Sequence, residues 1–358
     1  MNTLPLNEAT VKQVLDKIQD PETGRGLVKM GQVPELVVTA DQINATVALT
    51  THSAPLWSDT MNEINQTLCD AFPTARIKVS RIIHSRPAEK IGEIGLTAKS
   101  VVAVGSGKGG VGKSTIAASI AFGLAKSGCQ VGLVDADVYG PSVPHLLGVS
   151  GRPEIRENRI QPIEADGLKV MSMGFLVPPG EAVVWRGPML HGAITQFLRD
   201  TNWGDLDYLI IDMPPGTGDI ALTLSQIMPL TGAVVVCTPQ DVALLDAIKA
   251  IAMFRKVNIP VLGMVENMSG FICPDCTKRH EIFGSGGARK RAIELDVPFL
   301  GEVPINIQIR QNGDDGKAAA ALEDPVTGKS LKVLSYQLAK QLASQVKSAP
   351  PLPTLSVL

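Results

Sequence analysis

The chain has 358 residues, of which 44% are hydrophobic and 4% aromatic, and its formal net charge is −2. This length and apolar content allow one large domain or two ordinary domains, each with its own core. The near balance of charge argues against a nucleic acid as partner, and the few aromatic residues argue against a base-stacking surface.

The N-terminal sequence and the cysteine count predict the compartment. The first twenty residues lack the basic start and apolar run of a secretory signal peptide. No stretch approaches the roughly 18 apolar residues that a membrane helix needs. Five cysteines, an odd number, do not indicate a disulfide framework. We therefore expect a soluble protein of the reducing cytoplasm, without a membrane partner.

Residues 1–84 have the pattern of a small α+β domain. Apolar residues at helical spacing predict two helices, at positions Val11, Val14, Leu15 and Ile18 and at positions Trp57, Met61, Ile64, Leu68 and Phe72. Between them, alternation predicts a strand whose buried face is Ile43, Ala45, Val47 and Leu49. The segment ARIKVSRI closes the domain as a further strand, and the polar segment 85–99 is predicted to be a linker.

Residues 100–346 alternate short apolar runs with helical segments. Residues 208–211 and 233–237 are apolar at consecutive positions, which is typical of strands buried on both faces. This alternation predicts an α/β domain with a mostly parallel sheet covered by helices on both faces. The proline-rich tail, 347–358, is expected to be extended.

The segment GKGGVGKST contains the phosphate-binding pattern G-x-x-x-x-G-K-S/T between a predicted strand and a predicted helix. Backbone N–H groups of such a loop, at a helix N-terminus, bind phosphate groups. Lys113 is expected to reach the β- and γ-phosphates, Ser114 to ligate Mg²⁺ and Thr115 to contact the α-phosphate. The loop positions expected to bind the nucleotide are Gly107, Gly109, Gly110, Val111 and Gly112.

A second lysine, Lys108, lies inside this loop, where phosphate binding alone does not require one. With it, GKGGVGKST resembles the deviant Walker A loop of a class of dimeric P-loop NTPases. The class includes nitrogenase iron protein, the septum-positioning and chromosome-partition ATPases and the Mrp/ApbC iron–sulfur carriers. The resemblance implies that Lys108 crosses a homodimer interface to contact the partner's nucleotide, where its charge would stabilise the transferring phosphoryl group.

Two aspartate-bearing segments follow predicted strands, at the sheet edge where α/β proteins bind ligands. VGLVDADVYGPS contains Asp135 and Asp137, and YLIIDMPPGTGD contains Asp212. By the resemblance, Asp137 orients or deprotonates the attacking water, and Asp212 holds Mg²⁺ through water. Taken singly, each aspartate also fits a helix cap or a turn residue.

The resemblance places two further residues beside the adenine of ATP. Asn267 ends the predicted strand in PVLGMVEN, and its amide suits the adenine edge because it offers both a donor and an acceptor. Pro304, in GEVPIN, belongs to a segment that resembles the loop covering the base. An asparagine at a strand end is often only a turn residue, so that alternative stays open.

Cys273 and Cys276 form a C-x-x-C pair in the predicted loop SGFICPDCTKRHEIFG. A tetrahedral zinc or a cubane cluster requires four protein ligands, and the chain has no second C-x-x-C. Two copies related by a two-fold axis would supply four thiolates. Zinc, with His280 as an extra ligand, and a redox dithiol are the alternatives. The remaining cysteines lie in apolar patterns and are predicted to be core thiols: Cys69, Cys129 and Cys237.

The segments together resemble the Mrp/ApbC family over nearly the whole chain. Those that carry the resemblance are GKGGVGKST, DADVYGPS, MGF, WRGPM, DMPPGTGD, TPQDVAL, ENMSGFICPDC, FGSGG and GEVPI. The resemblance implies an ATP-hydrolysing carrier that uses ATP and Mg²⁺ and holds a 4Fe-4S cluster between two copies of the chain. It would receive the cluster from a donor scaffold and pass it to iron–sulfur apoproteins.

The segment DPETGRGLVKMG resembles the small iron–sulfur assembly domain that is often fused in front of these ATPases. That domain often has a cysteine before the proline of its second motif, where this chain has Ala54 in THSAPLW. The substitution argues against a reactive thiol here. A docking or regulatory role is left, beside a purely structural one.

Two other functions fit parts of the sequence. A spatial organiser of the partition or septum-positioning type, with structural zinc at the C-x-x-C, is the main alternative. Such ATPases need a basic surface or a terminal amphipathic anchor, and neither is evident in the sequence. An electron-transfer reductase like nitrogenase iron protein would also bridge a cluster, although its cluster cysteines do not form a C-x-x-C.

Overall fold

The structure is a computed structural model that describes residues 4–92, 94–138, 140–176, 187–216 and 218–348. The chain divides into two compact units. The first comprises the residues up to Arg86 together with those from Ala339 onward, and the second is Pro87–Leu338. The predicted first domain, 1–84, therefore ends inside the first unit.

The first unit contains a three-stranded sheet with two helices packed on it. Its elements are α1 (Glu8–Leu15), β1 (Glu35–Val38), β2 (Gln42–Leu49), α2 (Trp57–Ala71) and β3 (Arg76–Ile83). Strand β2 lies between β1, which is antiparallel to it, and β3, which is parallel. The alternating residues Ile43 and Val47 of β2 pack with Ile64 and Leu68 of α2, so the predicted buried faces are confirmed.

A buried carboxylate anchors the DPE turn of this unit. Asp20 is fully buried, and its Oδ1 accepts a hydrogen bond from Gln32 Nε2 at 3.1 Å. Its Oδ2 accepts from Thr23 Oγ1 at 2.8 Å and from Arg86 NH1 at 3.0 Å. Burial alone would raise the pKa of Asp20, but the bonds from Thr23, Arg86 and Gln32 outweigh it and lower the pKa.

The second unit is built on a mixed sheet whose central strands are parallel. The strands of this unit are β4 (Lys90–Ile91), β5 (Leu96–Gly105), β6 (Val131–Asp135), β7 (Ile155–Arg156), β8 (Arg159–Ile160), β9 (Ile163–Ala165), β10 (Leu168–Ser172), β11 (Leu206–Asp212), β12 (Gly232–Cys237), β13 (Val261–Ile272), β14 (Arg279–His280) and β15 (Phe299–Ile305). Strands β7 and β8 pair with each other in a separate two-stranded sheet, and the other ten form the mixed sheet. The parallel strands lie side by side in the order β10-β6-β11-β5-β12-β13-β15. Strands β4, β9 and β14 pair antiparallel with β5, β10 and β13.

Helices cover both faces of this sheet, as the sequence predicts. They are α3 (Lys113–Ser127), α4 (Val143–Leu147), α5 (Gly187–Asp200), α6 (Gly218–Ile227), α7 (Asp241–Lys256), α8 (Gly287–Glu294), α9 (Ile307–Asp314) and α10 (Gly328–Ser348), the last of which ends in the first unit. On one face, Val101 and Ala103 of β5 share a core with residues of α5, α6, α7 and α8. Buried residues of α3, such as Ile116 and Ile120, lie outside that core and against β5, β6 and β11. None of the helices in the described part of the chain is long and apolar enough to cross a membrane.

Three details differ from the sequence predictions. Strand β4 and the first residues of β5 lie in the predicted linker 85–99, because Leu96 and Ala98 alternate with polar residues and are buried. Residues 347–348, predicted as tail, belong to the end of α10. Cys69 is exposed and is not a core thiol, whereas Cys129 and Cys237 are buried as predicted. Residues 185–186 of WRGPM, and the tail from residue 349, lie outside the described residues.

Candidate nucleotide and cysteine-pair sites

The loop between β5 and α3 adopts a conformation that requires glycine. Gly110 and Gly112 have φ angles of 79° and 78°, in the left-handed region. A side-chain carbon at Gly112 would also overlap the amide nitrogen of Asn267. Ser106 Oγ donates to the carbonyl oxygen of Lys108 at 2.9 Å and holds the first half of the loop. The loop is thus shaped before any ligand binds.

Lys113 forms a buried ion pair at the start of α3. Its Nζ lies 2.5 Å from Oδ1 of Asp212 and 3.2 Å from Oγ of Ser114. Asp212 is fully buried at the end of β11, and its Oδ2 has no hydrogen-bond partner among the described residues. Burial raises the pKa of Asp212, and the Lys113 ammonium opposes that rise. Each charge is therefore stabilised by the other.

Mg²⁺ fits the donor set at this point. The unpartnered Oδ2 of Asp212 and the hydroxyl of Ser114 are hard oxygen donors, the type that Mg²⁺ prefers. The two side chains are close enough for the Ser114 hydroxyl to affect the titration of Asp212. These two residues are those that the sequence singles out for the ion.

The sequence names Asp135 without giving it a role, and the structure places it directly beside Asp212 in the sheet register. Its carboxylate accepts from the N–H groups of Asp137 and Val143, both at 3.1 Å, and from Ser172 Oγ at 3.0 Å. Burial, together with the neighbouring Asp212, raises the pKa of Asp135 to about 7. Its titration depends on tertiary burial, which no sequence pattern shows.

Asp137 lies two residues beyond β6 and is 8% exposed. Its Oδ1 accepts from the N–H of Gly140 at 3.1 Å, as in a turn. Lys108, by contrast, is only partly buried, and no ion pair holds its side chain in the described part of the chain. The two residues predicted to act on the transferring phosphate thus differ: the Asp137 carboxylate is held in a turn, and Lys108 is partly buried without an ion pair among the described residues.

A cavity of ≈ 470 Å³ adjoins the phosphate loop. It brings together four predicted residues: Gly112, Thr115, Asn267 and Pro304. Its other walls include residues that the sequence analysis missed, among them Ile282, Phe283, Ile309 and Arg310. The volume suits a ligand of nucleoside size. A second cavity, of ≈ 480 Å³, is lined by Arg152, Glu154 and Lys169 and contains none of the predicted residues.

The amide of Asn267 is oriented by the phosphate loop. Its Nδ2 donates to the carbonyl oxygen of Val111 at 2.9 Å, and the residue is 8% exposed. One of the two Nδ2 protons is therefore engaged by the loop. The second Nδ2 proton and the Oδ1 acceptor remain for a ligand in the cavity, so the prediction that the amide offers a donor and an acceptor still stands as a prediction.

The C-x-x-C pair lies in the loop of a hairpin formed by β13 and β14. Cys273 N–H donates to the carbonyl oxygen of Lys278 at 3.0 Å, and Thr277 N–H donates to that of Cys273 at 2.9 Å. The backbone N–H groups of Cys276 and Asp275 point at the Cys273 sulfur and lower the pKa of that thiol. Cys276 is exposed. The pair is accessible, and its first thiol is stabilised as the thiolate that binds metal.

The described residues contain no group of three or more His, Cys, Asp and Glu side chains able to hold a metal ion. His280, predicted as a possible extra zinc ligand, pairs with Phe271 in the β13–β14 ladder and is exposed. It does not join the two cysteines in such a group. One chain alone therefore provides two thiols for a metal site that requires four ligands.

The sheet order, the glycine loop and the buried Lys113–Asp212 pair define a P-loop NTPase. Residues 97–342 match the family model described as NUBPL iron-transfer P-loop NTPase. Residues 8–79 match that of an iron–sulfur cluster assembly protein. The chain therefore belongs to the NUBPL iron-transfer P-loop NTPase family, and the resemblance inferred from the sequence is confirmed.

Individual relatives agree with this assignment. An iron–sulfur cluster carrier protein of Deinococcus radiodurans is 45% identical over 351 residues, 97% of this chain and 98% of the relative. A nucleotide-binding protein of Archaeoglobus fulgidus, solved in complex with ADP, is 41% identical with a TM-score of 0.56, over 62% of this chain and 88% of that chain. The Pyrococcus furiosus cell division ATPase MinD is 21% identical, with a TM-score of 0.50 over 69% and 99%, and shares the fold.

Proposed function

We propose that the protein is an ATP-dependent carrier that holds a 4Fe-4S cluster between two copies of the chain and delivers it to apoproteins. The observation that carries the proposal is the dual use of β13. Its Asn267 contacts the phosphate loop, and its extension presents Cys273 and Cys276 at the surface. Nucleotide and cargo would therefore bind to parts of one strand.

The cargo requires a second copy of the chain. A cubane cluster takes four thiolates, and each chain offers two on an exposed hairpin. A homodimer with the two hairpins at its axis supplies the set. The accessible position of the thiols suits a cluster that must leave for an acceptor, and the Deinococcus relative described as a cluster carrier supports this reading.

The nucleotide chemistry follows from the aspartates and lysines. On ATP binding, Lys113 would leave Asp212 for the β- and γ-phosphates, and the Asp212 carboxylate would become available to the ion. Mg²⁺ held by Ser114 and Asp212 would supply charge neutralisation at the phosphate oxygens. Asp137 would orient the attacking water, and Lys108 would reach the nucleotide of the second copy.

The orientation of Asn267 favours adenine over guanine. Val111 engages one of the two Nδ2 protons, and we take the Oδ1 acceptor, which accepts no hydrogen bond from the described residues, as the atom that would meet the base. An acceptor matches the exocyclic amino group of adenine and opposes the carbonyl oxygen of guanine. The ADP bound by the Archaeoglobus relative agrees with this preference.

Anaerobic reconstitution with iron and sulfide tests the function. The wild type is expected to hold about four iron and four sulfide per dimer. The double variant Cys273→Ala/Cys276→Ala should hold none, while Cys69→Ala, which removes another exposed cysteine, should load normally. The loaded wild type should then lose its cluster to an apo 4Fe-4S protein. Zinc in place of iron, or a cluster that survives the double substitution, would contradict the proposal.

A further inference from the structure

Two large apolar side chains form an exposed wall of the cavity beside the phosphate loop. Ile282 is 57% exposed and Phe283 is 40% exposed, and both line the cavity together with Asn267 and Pro304. Apolar side chains of this size gain by being covered. A flat apolar ligand in the cavity would cover them.

The wall is joined directly to the cysteine hairpin. Strand β14 ends at His280, and Glu281 is the one residue between it and Ile282. Glu281 Oε1 accepts from Arg279 Nε of β14 at 2.7 Å. A change in the position of Ile282 would therefore reach β14 through Glu281 alone, and the Glu281 side chain is hydrogen-bonded to Arg279 of that strand.

The other end of the wall is fixed to the sheet. The Gly286 and Ala288 N–H groups donate to the carboxylate of Glu266 at 2.7 and 2.6 Å. Glu266 is fully buried in β13, next to Asn267. The segment 281–286 therefore runs from a fixed point at Glu266 to the hairpin.

Arg279 connects the hairpin to the opposite wall of the cavity. Its NH1 lies 3.2 Å from Glu302 Oε1, and its NH2 donates to the carbonyl oxygen of Ser269 at 3.3 Å. Glu302 directly precedes Val303 and Pro304, which line the cavity. Both walls are thus tied to the base of the same hairpin.

We propose that Ile282 and Phe283 close over the nucleotide's base, and that base binding thereby orders the C-x-x-C hairpin of the same chain. The inference rests on the proposed function, since it takes the cavity as the base site. It differs from coupling through a dimer interface because one chain suffices. Binding of the base, and not binding of the phosphates, is what orders the hairpin.

Hydrogen–deuterium exchange of the cluster-free full chain, under reductant, tests this. The readout is the exchange of the hairpin amides 271–281. Saturating MgADP should slow it at least about threefold in the wild type. Inorganic tripolyphosphate, which offers phosphates without a base, should leave it unchanged. Light scattering on the same samples reports whether the mass changes.

The variant Ile282→Ala/Phe283→Ala separates the wall from the phosphate loop. It should still bind ADP through the loop, about tenfold more weakly, and at saturation show no slowing of hairpin exchange. Ile293→Ala removes an isoleucine that is 76% exposed on α8 and should respond to ADP like the wild type.

The outcomes separate this inference from the proposed function. Equal slowing by tripolyphosphate, slowing that persists in the double variant, or slowing only when the mass doubles would overturn the inference. ADP binding by calorimetry with an unchanged hairpin would overturn it as well and leave the proposed nucleotide site intact. A failure of the wild type to bind ADP at all would overturn both.

Discussion

At the scale of single residues, the Lys113–Asp212 pair decides how the unliganded site is kept stable. Both groups are buried, and neither has a second ion-pair partner among the residues that the structure describes. Removing one member of a buried pair leaves an uncompensated charge, which costs more than the pair itself contributes. Under the proposed function, phosphate binding would replace the partner of Lys113 instead of adding one.

A double-mutant cycle on Lys113→Met and Asp212→Asn measures this. In nucleotide-free protein, Lys113→Met should lower the free energy of unfolding by about 3 kcal/mol, because it leaves Asp212 buried without a cation. Adding Asp212→Asn should recover about 2 kcal/mol of the loss. Urea unfolding provides the measurement, and strictly additive losses would show that the two charges are not coupled.

Asn267→Ala should weaken ATP binding about tenfold, since it removes one hydrogen bond to the base. GTP, which lacks the amino group at that position, should bind with nearly the same affinity before and after the substitution. Calorimetry with both nucleotides decides the point. An equal loss for ATP and GTP would mean that Asn267 acts only by shaping the loop through Val111.

Asp20→Asn should destabilise the first unit by about 2 kcal/mol at neutral pH, because Arg86 would lose one of its two carboxylate partners and keep only Glu22. The folded-state pKa of Asp20 is lowered from 3.8, so its contribution to stability is present above pH 3.8 and disappears as pH falls through the folded-state value. The difference in unfolding free energy should therefore persist down to pH 4 and narrow only below it. Asp41→Asn, at a side chain 68% exposed, should change stability little at any pH.

At the scale of elements, β13 and its hairpin set the geometry. Runs of consecutive apolar residues indicated the buried parallel strands, and their order along the chain located Asp135 and Asp212 at strand ends. The prediction that Asn267 ends its strand was wrong, because β13 continues past it to Ile272. The residues of the site that could not be predicted from the sequence are those that tertiary contacts bring to the cavity. The segment of Ile282 and Phe283 has no periodicity, and its place at the cavity follows from the bonds of Gly286 and Ala288 to Glu266.

Arg279→Gln should loosen the hairpin without unfolding the domain. Arg279 is 40% exposed, so its ion pairs contribute less than about 1 kcal/mol to global stability. The amides of the C-x-x-C loop should nevertheless exchange several-fold faster. Arg291→Gln, which breaks a comparable pair with Glu294 on α8, is the matched control and should leave hairpin exchange unchanged.

At the scale of the whole molecule, the cysteine pair and Lys108 would each complete a proposed site only with a second copy of the chain. The cysteine pair would supply half of the ligands of the proposed cluster, and Lys108 has no ion-pair partner in the described part of the chain. Sequence reasoning reached the homodimer from the same shortage of thiols. The sequence could not predict how two copies of the chain would be arranged in that homodimer, because the arrangement depends on surface shape, which no sequence motif describes.

Mixing two inactive variants tests whether Lys108 of one chain acts on the nucleotide bound to the other chain. Lys108→Ala should lower the ATP turnover number about a thousandfold, and Asp137→Ala should do the same. In a mixed dimer, the site with intact Asp137 receives the intact Lys108 of the other chain. Random mixing should therefore restore about a quarter of wild-type turnover, from one active site in half of the dimers. No recovery in the mixture would show that Lys108 acts on its own nucleotide.

The N–H groups aimed at the Cys273 sulfur have a practical consequence for handling the protein. They favour the thiolate of Cys273, and Cys276 is exposed three residues further along a short loop. A thiolate beside an accessible thiol is readily oxidised to sulfenic acid and then to a disulfide. A free-thiol titration before reconstitution therefore reports how much of the C-x-x-C pair is still reduced, which limits the metal that a preparation could bind under the proposed function.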